Sequence, residues 1–315
     1  MDLFSDLMKL EEMSSKPAKV EITLESVSAA GGSMIVRGLP ANVYHRIPAI
    51  SSTLLKGYAA NPATCRTPYE PKEDANVGTA AHAFCLQGEA ALYEECFFLG
   101  PETMGKSKGA MMAREDAILA NPGKTPLPYE YGGVPIMDCL RNVDAALKSH
   151  PTVGNILRNS EKELSLFWID PETGVLCKVR LDIWCPKTRQ IFDLKKTSKF
   201  DDFGYQIRKL GYGLQAAFYL IGAQACGLDP LTFGLIPVEA EDPYRVGIGY
   251  LRDNPNDTEG LLLNAQAEAH RLLGLIVEST LTGNFPNYKL PTHLFSLSDI
   301  QPEDLMSTWD SGIYY

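Results

Sequence analysis

ELSLFWIDPETGVLCKVRLDIWCPKTRQIFDLK, residues 163–195, reads as three β-strands and decides how the rest of the chain is understood. The first strand, ELSLFWID, ends at a turn that Asp170-Pro171 opens and Gly174 closes, residues suited to those turn positions. The second, VLCKVRLDIW, ends at Pro186-Lys187-Thr188-Arg189, and QIFDLKK follows. Runs so rich in Val, Ile, Leu, Phe and Trp between turn residues are half-buried strands. Strands joined by short turns pair antiparallel, so the expectation is a hairpin followed by a third strand. Alternation with period two puts Asp193 and Lys195 on one face and Leu194 on the other, with Asp182 of the middle strand beside Asp193. Acids crowded this way are expensive to leave unpaired. Such oxygen ligands suit Mg²⁺ or Mn²⁺. A lysine beside the ion can help deprotonate its water or steady charge developing on a phosphate. The alternative is a solvated hairpin face with a salt bridge between Asp193 and Lys195. D-x-K is common by chance, and on this stretch alone the simpler reading has precedence.

Working outward, residues 203–226 read as a helix on which Tyr212, Gln215 and Tyr219 form one stripe. A glutamine inside such a stripe needs a partner, although the helix could simply pack its tyrosines on the sheet. Residues 231–239 and 244–251 read as two more strands, and 254–258 cap a long helix reaching 283. On the other side, 136–158 read as a helix ending near His150-Pro151 and a short second one. Residues 100–135, rich in Gly, Pro, Lys and Met with helical stretches between, are expected as a mobile insertion over a cleft. In KEDANVGTAAHAFCL, residues 72–86, Gly78 and His82 share a helix face. A histidine there is either a ligand or a satisfied core residue, more often the latter. Ser51 or Ser52 caps a helix that stops at Asn61-Pro62. Its free N–H groups could hold a phosphate, although most such serines only cap. Residues 20–39 read as two short strands around Gly31-Gly32. With a short helix within 1–18 they form an expected N-terminal arm, residues 1–42, which either docks a partner or, more often, covers the core.

The 315 residues suffice for one large domain or two smaller ones. With 45% hydrophobic and 22% charged residues the composition is that of an ordinary globular protein. No stretch is long and apolar enough for a membrane span, and the acidic start MDLFSDLMKLEE lacks a signal-peptide pattern. The expectation is a cytoplasmic protein with no membrane partner. Seven cysteines at irregular spacing, with no C-x-x-C pair, are expected as reduced thiols. The net charge of −10 argues against a generally basic nucleic-acid coat. It leaves room for a local groove or a metal bridging acids to phosphate. Lys178, Arg180, Lys195, Lys196, Lys199, Arg208 and Lys209 do cluster around the three strands.

In order, these pieces resemble the PD-(D/E)XK nuclease superfamily. Within it they resemble the RecE-type exonucleases (exonuclease VIII) and, more distantly, RecB-type nuclease domains. The matching features are Tyr44-His45 with Pro48 and Ser51, Gly78-Thr79 with His82, and Glu163 before WIDPETGVLCKVRLD. Asp182, Asp193-Leu194-Lys195 and Tyr212, Gln215 and Tyr219 complete them. The resemblance covers residues 43–295 and leaves a tail, 296–315. It implies an α/β fold, a mixed β-sheet flanked by helices with the site at one edge. It further implies that Asp182, Asp193 and the Leu194 carbonyl bind the catalytic metal, that His82 completes that set, and that Glu163 serves a second metal or orients its water. Lys195 would position or deprotonate the attacking water, while Gln215 and Tyr219 would hold Lys195 and the DNA backbone. Tyr212 would join the DNA contacts, with Ser51 at the 5′ end and Lys196 nearby. Where the family often has a small or hydroxyl residue after its lysine, this chain has Lys196, which alternation turns to the opposite face. Some relatives hold an iron–sulfur cluster through four cysteines; the cysteines here do not flank the core that way, and none is expected.

The activity so implied is a Mg²⁺- or Mn²⁺-dependent 5′-3′ exodeoxyribonuclease. It would resect linear duplex DNA and leave 3′ single strands for recombination through a RecT-like annealing partner. Relatives often form rings, so a homo-oligomer is expected, and a phage source fits. The alternatives are a structure-specific endonuclease on the same core, or an inactive module kept for binding DNA or a partner.

Overall fold

The computed structural model describes residues 22–63, 73–251 and 261–287. Its centre is a six-stranded mixed sheet: β1 (Ser33–Val36), β2 (Glu161–Ile169), β3 (Leu176–Cys185), β4 (Gln190–Thr197), β5 (Thr232–Glu239) and β6 (Gly249–Leu251). Spatial order follows chain order. Neighbours are antiparallel except β4 and β5, which run parallel through the crossover between them. The hairpin and third strand of the quoted stretch are β2, β3 and β4.

Helices cover both faces. One face carries α1 (Ser52–Ala60), α6 (Phe203–Lys209), α7 (Tyr212–Ala225) and α8 (Leu261–Thr282), packed on Leu181, Ile191, Phe233 and Leu235. The other carries α2 (Glu73–His82), α4 (Ile136–Ser149) and α5 (Pro151–Arg158), packed on Ile183, Phe192, Leu194 and Ile236. Burial on both faces explains why β3 reads as a near-continuous apolar run: all ten of its residues are buried. The α7 helix lies close against the sheet because Gly222 has no side chain. A Cβ there would come within 2.6 Å of the Trp168 ring and 3.1 Å of Val179. Gly211, at φ 65°, starts this helix in a left-handed turn and splits it from α6, where one continuous helix was expected.

Two expectations need correction. Leu24–Ala29 is a helix rather than a strand, because Thr23 and Ser26 form a reciprocal capping box at its start. The following β1 pairs with β2 from Ser33–Trp168 to Val36–Ser165. The N-terminal stretch thus acts as a cover on the core and supplies the sheet's first strand, lying on an edge that would otherwise stand open. Ile22, Val27, Leu39 and Tyr44 seal it over Phe167 and Leu176. Residues 100–135 hold the expected helical stretch, α3 (Lys108–Ala120), and in addition a strand, Thr125–Leu127, parallel to Cys96–Phe98. Of 244–251 only Gly249–Leu251 is a strand, joined by a single bridge from Val246 to Val238. The expected helix in 1–18, the cap at 254–258 and the tail lie outside the described residues. Among the described residues no helix is long and apolar enough to cross a membrane, and six cysteines are free thiols.

Candidate active site

The site lies where β3 and β4 part. Their backbone ladder runs from Cys185–Gln190 to Ile183–Phe192 and stops; the next step of that register would set Asp182 beside Asp193. On the other side of β3, Lys162 pairs with Ile183 and Leu164 with Leu181, which leaves Glu163 across from Asp182. Glu163 has φ 53°, a left-handed conformation that costs a non-glycine residue on the order of 1–3 kcal/mol. Leu181 and Trp184 pack in one core and Ile183 in the other, so strand alternation reverses at Asp182. Three carboxylates are thereby drawn to one gap in the sheet.

Side chains take over the hydrogen bonds that the parted strands give up. The Leu194 N–H donates to Asp182 Oδ2 at 2.8 Å, and the Leu194 carbonyl meets His82 Nε2 at 2.8 Å. A carbonyl only accepts, so Nε2 carries the proton and the neutral ring turns the lone pair of Nδ1 inward. Nδ1 lies 3.3 Å from Asp182 Oδ2. Asp193, 1% exposed, accepts from Gln215 Nε2 at 2.7 Å and pairs with Lys195. The Lys195 ammonium stands 4.9 Å from the centre of the Tyr212 ring. Glu163 pairs with Arg180, which also donates to the Leu39 carbonyl at 2.8 Å.

These residues suit a metal ion. Ligand atoms of His82, Glu163 and Asp182 lie within 4.8 Å of one another, two hard carboxylates and a histidine nitrogen. Asp193 stands next to this group, held by Lys195 and Gln215. Burial holds the His82 imidazole below its ordinary value, which keeps a nitrogen lone pair available near neutral pH. Burial, then the charge of Asp193, pushes the Asp182 carboxyl well up. Burial opposes charge on Lys195, but Asp193, Tyr212 and Asp182 outweigh it and raise its pKa. The Lys195 ammonium is thus favoured in its charged form beside Asp193.

Glu163 yields a pH prediction. Burial first, and Asp182 second, raise its carboxyl from 4.5 to about 7 against Arg180 and His82. A group with a raised folded pKa adds stability that is full below 4.5 and lost as pH rises through about 7. That loss is on the order of 3 kcal/mol. The metal-free protein is therefore expected to melt lower at about pH 8 than at about pH 5, and a divalent metal to restore more at the higher pH, where no proton must leave. Thermal unfolding with and without metal checks this; a metal-induced gain larger at the acid end would contradict it.

The remaining expected residues fall into two groups. Tyr212 and Gln215 are at the acids. Gln215, however, bonds Asp193 and Lys56 rather than Lys195. Tyr219 is turned to Ser52 and packs edge-on against Phe233. Ser51 caps α1 by accepting the Leu54 N–H at 3.3 Å. Lys196 turns to the far face as alternation requires and bonds the Tyr131 hydroxyl. Lys178 is not open to a ligand: it is buried and donates to the Tyr44 and Ile47 carbonyls at 2.8 and 2.7 Å. Sequence reasoning assigned no role to Lys56 or Arg180. The available signals were the four-residue spacing of Ser52 and Lys56 on one helix face, and the two-residue spacing of Arg180 and Asp182.

The family model described as "PDDEXK-like domain of unknown function (DUF3799)" matches residues 56–259. No curated protein matches the sequence. Among solved structures, a Eubacterium rectale protein named "Putative exonuclease" is similar over 90% of this chain and 95% of its own, with a TM-score of 0.51 and 14% identity. That likeness concerns the fold. A protein named SSO0001 aligns over 80% of this chain and 96% of its own at 16% identity, with a TM-score of 0.30, too low to add to it.

Proposed function

Because this chain belongs to the family of PDDEXK-like domains of unknown function, we propose that it is a metal-dependent nuclease that hydrolyses DNA from the ends of linear duplexes. The observation that carries this is the gathering of His82, Glu163 and Asp182 next to the Asp193–Lys195 pair. Mg²⁺ or Mn²⁺ held by that group would supply Lewis-acid activation of water and phosphate. Asp193 and the Leu194 carbonyl stand beside it. The chain's own residues do the rest. Lys195 sets a positive charge where the phosphate gains negative charge. Asp193 holds that ammonium, Gln215 holds Asp193, and the Tyr212 ring limits the swing of the lysine. Arg180 orients Glu163.

End-directed attack is supported by the order of motifs from Ser51 to Tyr219, which matches the RecE-type pattern better than an endonuclease's. The net charge of −10 agrees. Such a surface binds the flank of a duplex weakly, and a threaded end compensates. On this reading the 5′-ended strand is resected, a RecT-like protein receives the 3′ strand, and a ring of copies gives processivity. A 5′ phosphate at the capped start of α1 should help.

The test compares a linearised plasmid with its supercoiled and nicked forms, in Mg²⁺ at low and moderate salt. Linear DNA should disappear while closed circles persist. Rapid loss of the supercoiled form would favour a structure-specific endonuclease instead. Loss of neither, with metal present, would favour a binding module without activity.

A further inference from the structure

A second cation lies against the site without touching the metal-type ligands. Lys56, half-buried on α1, donates from Nζ to Gln215 Oε1 at 2.9 Å and stands 5.5 Å from the centre of the Tyr212 ring. Gln215 passes the contact on, donating from Nε2 to Asp193 Oδ1 at 2.7 Å. An ammonium has only donors and an ionised carboxylate only acceptors, so the amide fits between them one way round. Gln215 and Asp193 are both buried, so the link between them is shielded from water. The other oxygen of Asp193 faces Lys195. A single chain of contacts thus runs from α1 through α7 to the acid and lysine of β4.

We propose that Lys56 is a positioning residue: through Gln215 it locks the carboxylate of Asp193, and with it the place of the Lys195 ammonium. This rests on the nuclease reading. The location is an expensive one for a cation. Burial, then the neighbouring charge of Lys195, pushes the Lys56 ammonium down to about 8, with Asp193 pulling it back up. An apolar side chain would join α1 to α7 without that cost. The Gln215 amide takes one of the ammonium's three donors.

The test uses the full chain with Lys56→Met, which keeps the stem, Lys56→Arg, which keeps the donor, Gln215→Ala, and the Lys56→Met/Gln215→Ala double variant. Lys56→Met should lower kcat by about 10–100-fold, the usual effect of losing a partner one step removed from the reacting groups, with KM nearly unchanged. Lys56→Arg should restore most of it. The double variant should be no slower than Gln215→Ala, because both remove one link. A rise in KM with kcat kept would make Lys56 a substrate contact and overturn the proposal. Multiplying effects in the double variant would overturn it too. A readout independent of cleavage is the Gln215 side-chain amide pair in ¹H–¹⁵N spectra of the metal-free protein, identified by its absence in Gln215→Ala. It should shift in Lys56→Met. An unmoved signal refutes the link whether or not the protein cuts DNA. An inactive wild type whose signal does move refutes the nuclease reading and leaves the link standing.

Discussion

Cleavage of linear duplex by the Asp193→Ala protein is expected to fall by at least about 1,000-fold, the largest effect of any single change in this chain. Asp193 is the point where the site's contacts converge. One oxygen takes the Gln215 amide, the other faces Lys195, and the neighbouring backbone carries Leu194, whose N–H and carbonyl bind Asp182 and His82. Two opposing terms decide what happens to the fold. Removing the acid relieves its repulsion of Asp182. It also strands a nearly enclosed ammonium and an amide N–H, and breaking a buried pair from one side costs about 3–5 kcal/mol. The second term is larger, so Asp193→Ala should melt below the wild type. Asp193→Asn still accepts from Gln215 and should keep more of the stability while losing the activity. Digestion of end-labelled duplex in Mg²⁺, alongside thermal unfolding, measures both. Near wild-type digestion by the asparagine variant would remove Asp193 from the chemistry.

Lys195→Ala is expected to slow catalysis by about 100- to 1,000-fold while leaving metal affinity nearly unchanged. The lysine touches Asp193 and the Tyr212 ring, not the His82–Glu163–Asp182 group, so its removal takes no ligand atom away. Its loss also takes a positive charge from beside the acids, which by itself would tighten rather than weaken the hold on a cation. Calorimetry with Mn²⁺ tests the binding half and single-turnover cleavage the catalytic half. A variant that no longer binds Mn²⁺ would make the lysine a structural support of the acids. Lys195→Arg keeps the charge but changes its shape, and should recover only part of the rate.

The strands, turns and most helices were legible because they rest on local chemistry. Asp170-Pro171 and Gly174 make one turn and Pro186 opens the next, so β2, β3 and β4 follow from 33 consecutive residues read with a period of two. A cap at Ser51 or Ser52, the stop at Asn61 and the break at His150-Pro151 were readable for the same reason. So were Asp193 and Lys195 on one face, and Lys196 on the other. What the local pattern hid was the reversal of alternation at Asp182. It depends on Glu163 taking a left-handed φ that its residue type does not favour, and only the surrounding packing can impose that.

Partners brought from far along the chain were equally hidden from the local pattern, and only the family resemblance put His82 with the acids. His82 meets Leu194 across 112 residues, and Lys56 meets Gln215 across 159. A histidine or a lysine on a short helix carries no mark of what it will face, because its partner is set by how helices cover a sheet rather than by its neighbours. The first strand shows the same limit. A short strand after Gly32 was expected, but nothing local marked that Ser33–Val36 would pair with β2. Sequence alone thus determined which residues had the chemistry and which faces they shared. The tertiary structure decided which of them meet, since parting β3 from β4 leaves backbone groups that only distant side chains can satisfy.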